Sequence, residues 1–326
     1  MNNSNDILIE VSNLKKYFPV KNTFMKSEKK FVKAVDGVSF EIRKGETFGL
    51  VGESGCGKST LGRTITRLYD VTAGDIYFEG TNIAKLNKKE MKEYYSKMQI
   101  IFQDPYSSLN PYMNVEELIN EPLELHTTLT KKERVEKTEY LLETVGLKKS
   151  DMEKFPHEFS GGQCQRIGIA RAISTEPKFV LCDEPISALD VSIQAQVVNM
   201  LEDLQEEMGL TYLFVAHDLS MVRHISDRIG VMYLGNIVEI GKSNDLYKNP
   251  LHPYTKALLS SIPIADPKRA REAVRKVIEG DIPSPMDIPS GCRFHTRCPY
   301  AKPICKEISP GIKFVEDGHS VACHLY

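Results

Sequence analysis

The chain has 326 residues, 41% apolar and 26% charged, an ordinary globular balance with room for one large core or two modest ones. A net charge of −2 excludes the global basic field that draws a protein to nucleic acid. No apolar run reaches the roughly 18–20 residues of a membrane span, and the polar start Met1-Asn2-Asn3-Ser4-Asn5-Asp6 lacks the order of a secretory signal. The expectation is a cytosolic chain whose cysteines are reduced or metal-bound.

In chain order, residues 7–11 read as a strand, and the Lys-rich stretch 20–30 (Lys21, Lys26, Lys29, Lys30) as a solvated loop or hairpin tip. Residues 31–42 resume β character, Lys44-Gly45-Glu46 makes a turn, and 47–51 form a short apolar run ahead of a glycine loop and a helix over 59–68. From about 104 to 175 the patterning is charged and helical, as in 131–145, with no β run: a helical subdomain inserted into an α/β core. The continuous apolar runs 179–182 and 212–216 are expected as parallel strands buried on both faces, with a helix over 194–208 between them. After 229–233 the core is expected to end near Glu239. From Asn249 the chain turns Pro-rich, which places a domain boundary at 260 and a C-terminal extension over 261–326.

Gly52-Glu53-Ser54-Gly55-Cys56-Gly57-Lys58-Ser59-Thr60 fits the phosphate-loop pattern G-x4-G-K-[ST]. Glycines let backbone N–H groups converge on phosphate, Lys58 adds charge toward the β and γ phosphates, and Ser59 offers its hydroxyl to Mg²⁺. Cys56, inside the loop near a helix N-terminus, is expected to have a lowered pKa, unless it is only a small residue that fits. Asp183 ends an apolar strand, suited to hold Mg²⁺ through water, and Glu184 is suited to orient or deprotonate a water. The alternative is that the pair merely caps a helix. Gln103 and His217 each follow an apolar strand end, where they reach Mg²⁺, a water or the γ-phosphate, or are ordinary loop residues. Ser160-Gly161-Gly162-Gln163 reads as a helix N-cap with close backbone access for phosphate. Since the chain's own loop already wraps its nucleotide, this second cradle implies a two-fold dimer closing over ATP.

In order and spacing these residues resemble the ABC-transporter nucleotide-binding subunits over roughly residues 7–261. The resemblance implies an α/β P-loop NTPase fold: a RecA-like core with an antiparallel β subdomain and an inserted α-helical subdomain. It makes Gln103 the Q-loop, Ser160 to Gln163 the signature, Glu184 the catalytic glutamate, Ser187-Ala188-Leu189-Asp190 the D-loop and His217 the switch histidine. It also puts Phe18 under the adenine, with Tyr17 as fallback. Residues 103–111, 159–166 and 251–259 and the run around Cys292 to Pro299 are similar to the oligopeptide/dipeptide importer branch, most of all to its F-type ATPase. That implies ATP hydrolysis driving peptide uptake at the cytoplasmic membrane face, a D-type paralogue as heterodimer partner, two membrane permeases and an extracellular or periplasmic binding protein. A nickel or metal-chelate importer, a soluble ABC ATPase and a redox-sensing binder are the competing readings.

Four cysteines, Cys292, Cys298, Cys305 and Cys323, fall in the extension. In a cytosolic chain such a cluster suggests metal rather than disulfides. The spacing lacks the C-x2-C pairs usual for zinc, and four thiolates suit an iron–sulfur centre. The resemblance also implies a 4Fe–4S cluster, with Zn²⁺ or nothing as alternatives.

Overall fold

Two sheets carry the chain in the computed structural model, which describes residues 6–20, 30–262, 280–316 and 318–326. The Lys-rich tip expected over 20–30 lies almost wholly outside them. Long strands β1 (Ile7–Pro19) and β2 (Phe31–Arg43) pair antiparallel, and the turn at Lys44-Gly45 leads into β3 (Thr47–Val51) and then α1 (Lys58–Ile65). Strands β4 (Ala73–Phe78) and β5 (Thr81–Asn82) complete a small antiparallel sheet of order β2-β1-β4-β5.

Helix α2 (Lys88–Tyr95) and strand β6 (Met98–Ile101) lead into three helices: α3 (Val115–His126), α4 (Lys131–Thr144) and α5 (Gly161–Ile173). Each begins at a reciprocal capping box, Asn114 with Glu117, Thr130 with Glu133 and Ser160 with Gln163. These helices form the inserted subdomain. Their apolar faces (Val115, Ile119, Leu142, Ile167) join one core with the sheet residues Val180 and Phe214.

The chain then alternates: β7 (Phe179–Asp183), α6 (Val191–Met208), β8 (Thr211–Val215), α7 (Leu219–Ile225), β9 (Arg228–Tyr233), β10 (Asn236–Lys242), α8 (Ser243–Lys248) and α9 (Pro253–Ser260). Every residue of β3, β7 and β8 is buried, which is why these strands read as unbroken apolar runs rather than alternating ones. The extension adds α10 (Ile304–Glu307), β11 (Lys313–Glu316) and β12 (His319–Val321).

The large sheet has the order β11-β12-β10-β9-β3-β8-β7-β6, parallel from β9 through β6. The sheet does not end near Glu239, as the sequence suggested. Glu239 lies within β10 and pairs with Val321 of β12, so the extension continues the sheet. The three-residue strand β12 is too short to register as a period-two pattern. Glu239 is fully buried and accepts hydrogen bonds from the Leu251 and His252 backbone (2.7 and 2.8 Å), with His319 Nε2 also 2.8 Å away.

Candidate nucleotide site

The loop between β3 and α1 lies at the carboxyl end of the parallel strands, where open α/β sheets place their ligands. Glycine is required at two positions by space: a Cβ on Gly52 would lie 2.2 Å from the Met232 carbonyl oxygen, and one on Gly57 2.1 Å from that of Ala34. Gly57 is the N-cap of α1 and has no side chain to cap it, which leaves the first helical N–H groups for an anion. Lys58 is buried, and its ammonium donates to the Gly52 and Glu53 carbonyls at 2.8 and 3.2 Å. Ser54 and Gly55 are exposed at the loop tip, while Ser59 and Thr60 are half-buried. Cys56 corrects an expectation: burial pushes its thiol pKa up, and the Lys58 charge that lowers it does not compensate.

Three strand ends meet on one carboxylate. Glu184, just past β7, stands in the left-handed region at φ 51°. Its Oε2 accepts from Gln103 Nε2 at 3.0 Å, and His217 Nδ1 lies 3.5 Å from the same atom. Asp183 is fully buried, with Oδ2 held by Arg63 of α1 through Nε at 2.9 Å and a terminal amino group at 2.8 Å. Its Oδ1 has no partner among the described residues. A buried carboxylate oxygen left without a donor fits a hydrated Mg²⁺. The helix-capping alternative for this pair falls away, because the N-cap of α6 is Asp190.

Ser160 is exposed and caps α5, its Oγ accepting from the Gln163 N–H at 3.4 Å while Gln163 Oε1 accepts from the Ser160 N–H at 3.0 Å. The turn is steadied by the Tyr106 hydroxyl, which donates to the Phe159 carbonyl at 3.2 Å. A Cβ on Gly162 would lie 2.8 Å from Ile193 Cγ2, so α6 packs directly on the turn. On β1 the Phe18 ring meets Tyr69 edge-on at 5.6 Å, with the Lys16 ammonium 4.8 Å from its centroid. The Tyr17 hydroxyl donates instead to Asp36, which also pairs with Arg293 of the extension at 2.7 Å. The Tyr17 hydroxyl is thus committed to Asp36, and the Phe18 ring to Tyr69 and Lys16.

Sequence reading missed Arg63, Tyr254 and Arg297. Arg63 follows Lys58 by five positions, and a helix starting at the loop would have placed it one turn further in. Tyr254 and Arg297 reach Glu53 across 201 and 244 residues of chain, beyond any local pattern.

The four extension cysteines are electrostatic neighbours of one another. Cys292 N–H donates to the Cys305 carbonyl at 2.8 Å, and Lys302 N–H to Cys305 Sγ at 3.4 Å. Burial raises Cys292 to about 11 and pushes Cys298 and Cys323 up as well. Among the described residues, no group of three or more His, Cys, Asp or Glu is arranged to hold a metal ion. The side-chain arrangement therefore does not support the iron–sulfur or zinc site expected at Cys292, Cys298, Cys305 and Cys323.

A family model described as ABC transporter matches residues 35–187, and one described as oligopeptide/dipeptide transporter, C-terminal region, matches 238–305. The chain is 59% identical over 320 residues to the putative oligopeptide transport ATP-binding protein YkfD of Bacillus subtilis, covering 98% of this chain and 95% of that protein. It is 50% identical to the oligopeptide transport ATP-binding protein OppF of Salmonella typhimurium, covering 97% and 96%. Among solved structures, the post-hydrolysis dimer of the ATP-binding cassette MJ0796 bound to ADP and Pi matches with TM-score 0.65 and 28% identity, over 72% of this chain and 99% of that one. CbiO1 of Clostridium perfringens, part of the ABC transporter complex cbiONQ, matches with TM-score 0.64 and 25% identity, over 75% and 92%.

Proposed function

This chain belongs to the ABC transporter family, and we propose that it is the ATP-hydrolysing subunit that powers oligopeptide import across the cytoplasmic membrane. Residues 1–260 would form the ATP-binding unit and 261–326 a C-terminal extension typical of oligopeptide/dipeptide transporters, whose C-terminal model matches 238–305. The observation that carries the reading is the convergence of Gln103, Glu184 and His217 at strand ends beside a phosphate loop. Its relatives named as oligopeptide transport ATP-binding proteins support the peptide cargo.

Lys58 and the uncapped N–H groups of α1 hold the phosphates. Ser59, Gln103 and Asp183 would hold Mg²⁺, which when bound neutralises developing charge between the β and γ phosphates. Glu184 orients a water for in-line attack on the γ-phosphate and accepts its proton, and Gln103 holds the Glu184 carboxylate in place. His217 donates toward the γ-phosphate oxygens. Phe18 lies under the adenine. Ser160, Gly161, Gly162 and Gln163 close over the ATP of a partner cassette, and the Tyr106 contact links that turn to the Gln103 loop.

The partner is a D-type paralogue, and the pair acts on two permeases served by an external peptide-binding protein. No helix among the described residues is long and apolar enough to cross a membrane, so attachment would run through those permeases. The extension cysteines carry a finer reading, a 4Fe–4S cluster with Zn²⁺ as alternative. It rests on the four cysteines falling in one small extension; burial, which raises the thiols of Cys292, Cys298 and Cys323, outweighs the backbone N–H groups of Phe294, Tyr300 and Leu325 that lower them, so the thiolates would have to form on metal binding itself.

The test is Glu184→Gln, assayed with the partner ATPase. ATP binding persists and the closed dimer accumulates, while turnover falls by about 10²–10⁴, the usual contribution of a positioned general base. Near-normal turnover would remove Glu184 from this role.

A further inference from the structure

Glu53, the first residue after Gly52 in the phosphate loop, is held from three sides. Its N–H donates to the Tyr254 hydroxyl at 2.8 Å. Its carbonyl accepts from Lys58 at 3.2 Å. Its carboxylate accepts from both terminal amino groups of Arg297, at 2.9 and 3.1 Å, in the fork geometry that only arginine offers. The pair is largely removed from water, with 6% of the Arg297 side chain and 21% of the Glu53 side chain exposed.

The guanidinium is not free to wander. Phe294, three residues earlier, buries its ring edge-on against Tyr233 at 5.3 Å and tilted against Tyr254 at 5.4 Å. Arg297 itself lies 5.9 Å from the Tyr233 ring centroid and 3.4 Å from its hydroxyl. Tyr254 and Arg297 both lie in the region, residues 238–305, matched by the peptide-transporter C-terminal model.

A carboxylate on the loop that must receive a triphosphate is a like charge placed next to the ligand. Paired with Arg297 it is neutralised; unpaired, it repels the phosphates in a poorly screened setting. We propose that Arg297 and Tyr254 are positioning residues for ATP. Tyr254 fixes the Glu53 peptide and Arg297 cancels the Glu53 charge, so α9 and the C-terminal extension together set the shape and the electrostatics of the phosphate cradle. This rests on the reading of the loop as an ATP site.

The experiment is equilibrium titration of the full-length chain with a fluorescent ATP analogue, displaced by Mg-ATP, with circular dichroism melting as the check on folding. Arg297→Ala weakens ATP binding about tenfold, and Arg297→Lys, which keeps the charge but not the fork, by about threefold. Glu53→Gln moves the other way: it removes the repelling charge, leaves Arg297 unpaired beside the phosphates and tightens binding. The double variant Arg297→Ala/Glu53→Gln recovers to within about threefold of the parent. Tyr254→Phe, which keeps the ring and its packing, weakens binding through the unpaired Glu53 N–H.

A purely structural joint predicts that Glu53→Gln also weakens binding and that the double variant is no better than Arg297→Ala; either result overturns the proposal. If Arg297→Ala does not fold, the opposed signs of Glu53→Gln and Tyr254→Phe decide it. A parent chain that binds ATP, with Arg297→Ala binding equally well, overturns the clamp alone. A parent chain that does not bind ATP overturns the nucleotide reading and the clamp with it.

Discussion

Lowering the pH should loosen the joint between the cassette and its extension through one buried histidine. His252 is 1% exposed, and its Nδ1 accepts the Tyr254 N–H at 3.0 Å, so the neutral ring is the N-cap of α9. Burial pulls its pKa from 6.5 down to about 4, against the nearby Glu239 carboxylate and with help from Lys256. Because the unfolded chain binds this proton more readily, the stability contribution is complete above pH 6.5 and is lost as the pH falls toward 4. Integrating between those values gives a loss of about 1 kcal/mol at pH 6, about 2 at pH 5 and about 3 at pH 4. Asn is the matched replacement: it keeps a side-chain acceptor for the cap and cannot titrate. The chain has no Trp, so urea denaturation would be followed by far-ultraviolet circular dichroism for the parent and His252→Asn. The difference between the two should shift in favour of the variant by about 2 kcal/mol from pH 7.5 to pH 5, with other titrating groups cancelling. Parallel stability curves over that range would refute the argument.

Phe294→Ala should destabilise the full-length chain by about 3–5 kcal/mol, since it empties a site between Tyr233, Tyr254 and His252 and leaves a cavity. A calorimetric scan showing a loss below about 1 kcal/mol would mean the ring is not part of the core. For the cysteine cluster, anaerobic purification with metal analysis and a visible spectrum tests the proposal: a coloured, iron-containing protein whose visible band is lost on Cys298→Ser would bear it out. A colourless, iron-free chain would sink the iron–sulfur reading, and bound zinc would favour its alternative.

The part of the candidate site built on the phosphate loop and the strand ends was legible because its pattern is local. Directly after the strand end at Val51, a glycine loop and a helix start are written within nine residues from Gly52 to Thr60, and the parallel strands announce themselves as largely apolar runs ending in Asp183 or just before Gln103 and His217. What could not be read is what depends on distant chain. The Arg63–Asp183 pair needs the packing of α1 against β7. The pairing of β10 with β12 needs residues 80 apart to meet, as His319 and Glu239 do. Cys56 shows the limit of motif reasoning: helix position and Lys58 both favour a thiolate, yet burial, invisible in sequence, decides the direction.

The distribution of cations around the loop says which of them a triphosphate can recruit. Arg63 and Arg297 already face carboxylates, Asp183 and Glu53, so taking either for phosphate would leave a buried or half-buried anion without its partner, at a cost of several kcal/mol. Lys58 rests only on neutral carbonyls, which a phosphate oxygen outcompetes because charge-assisted hydrogen bonds are about twice as strong. The loop is thus poised so that one cation turns to the ligand while two others hold its frame. Arg63 keeps one oxygen of Asp183 occupied and leaves Oδ1 open for the cation that accompanies ATP. Arg297 keeps Glu53 from opposing the anion. Through Arg297 the extension thus takes part in the electrostatics of the proposed site as well as in the sheet it completes.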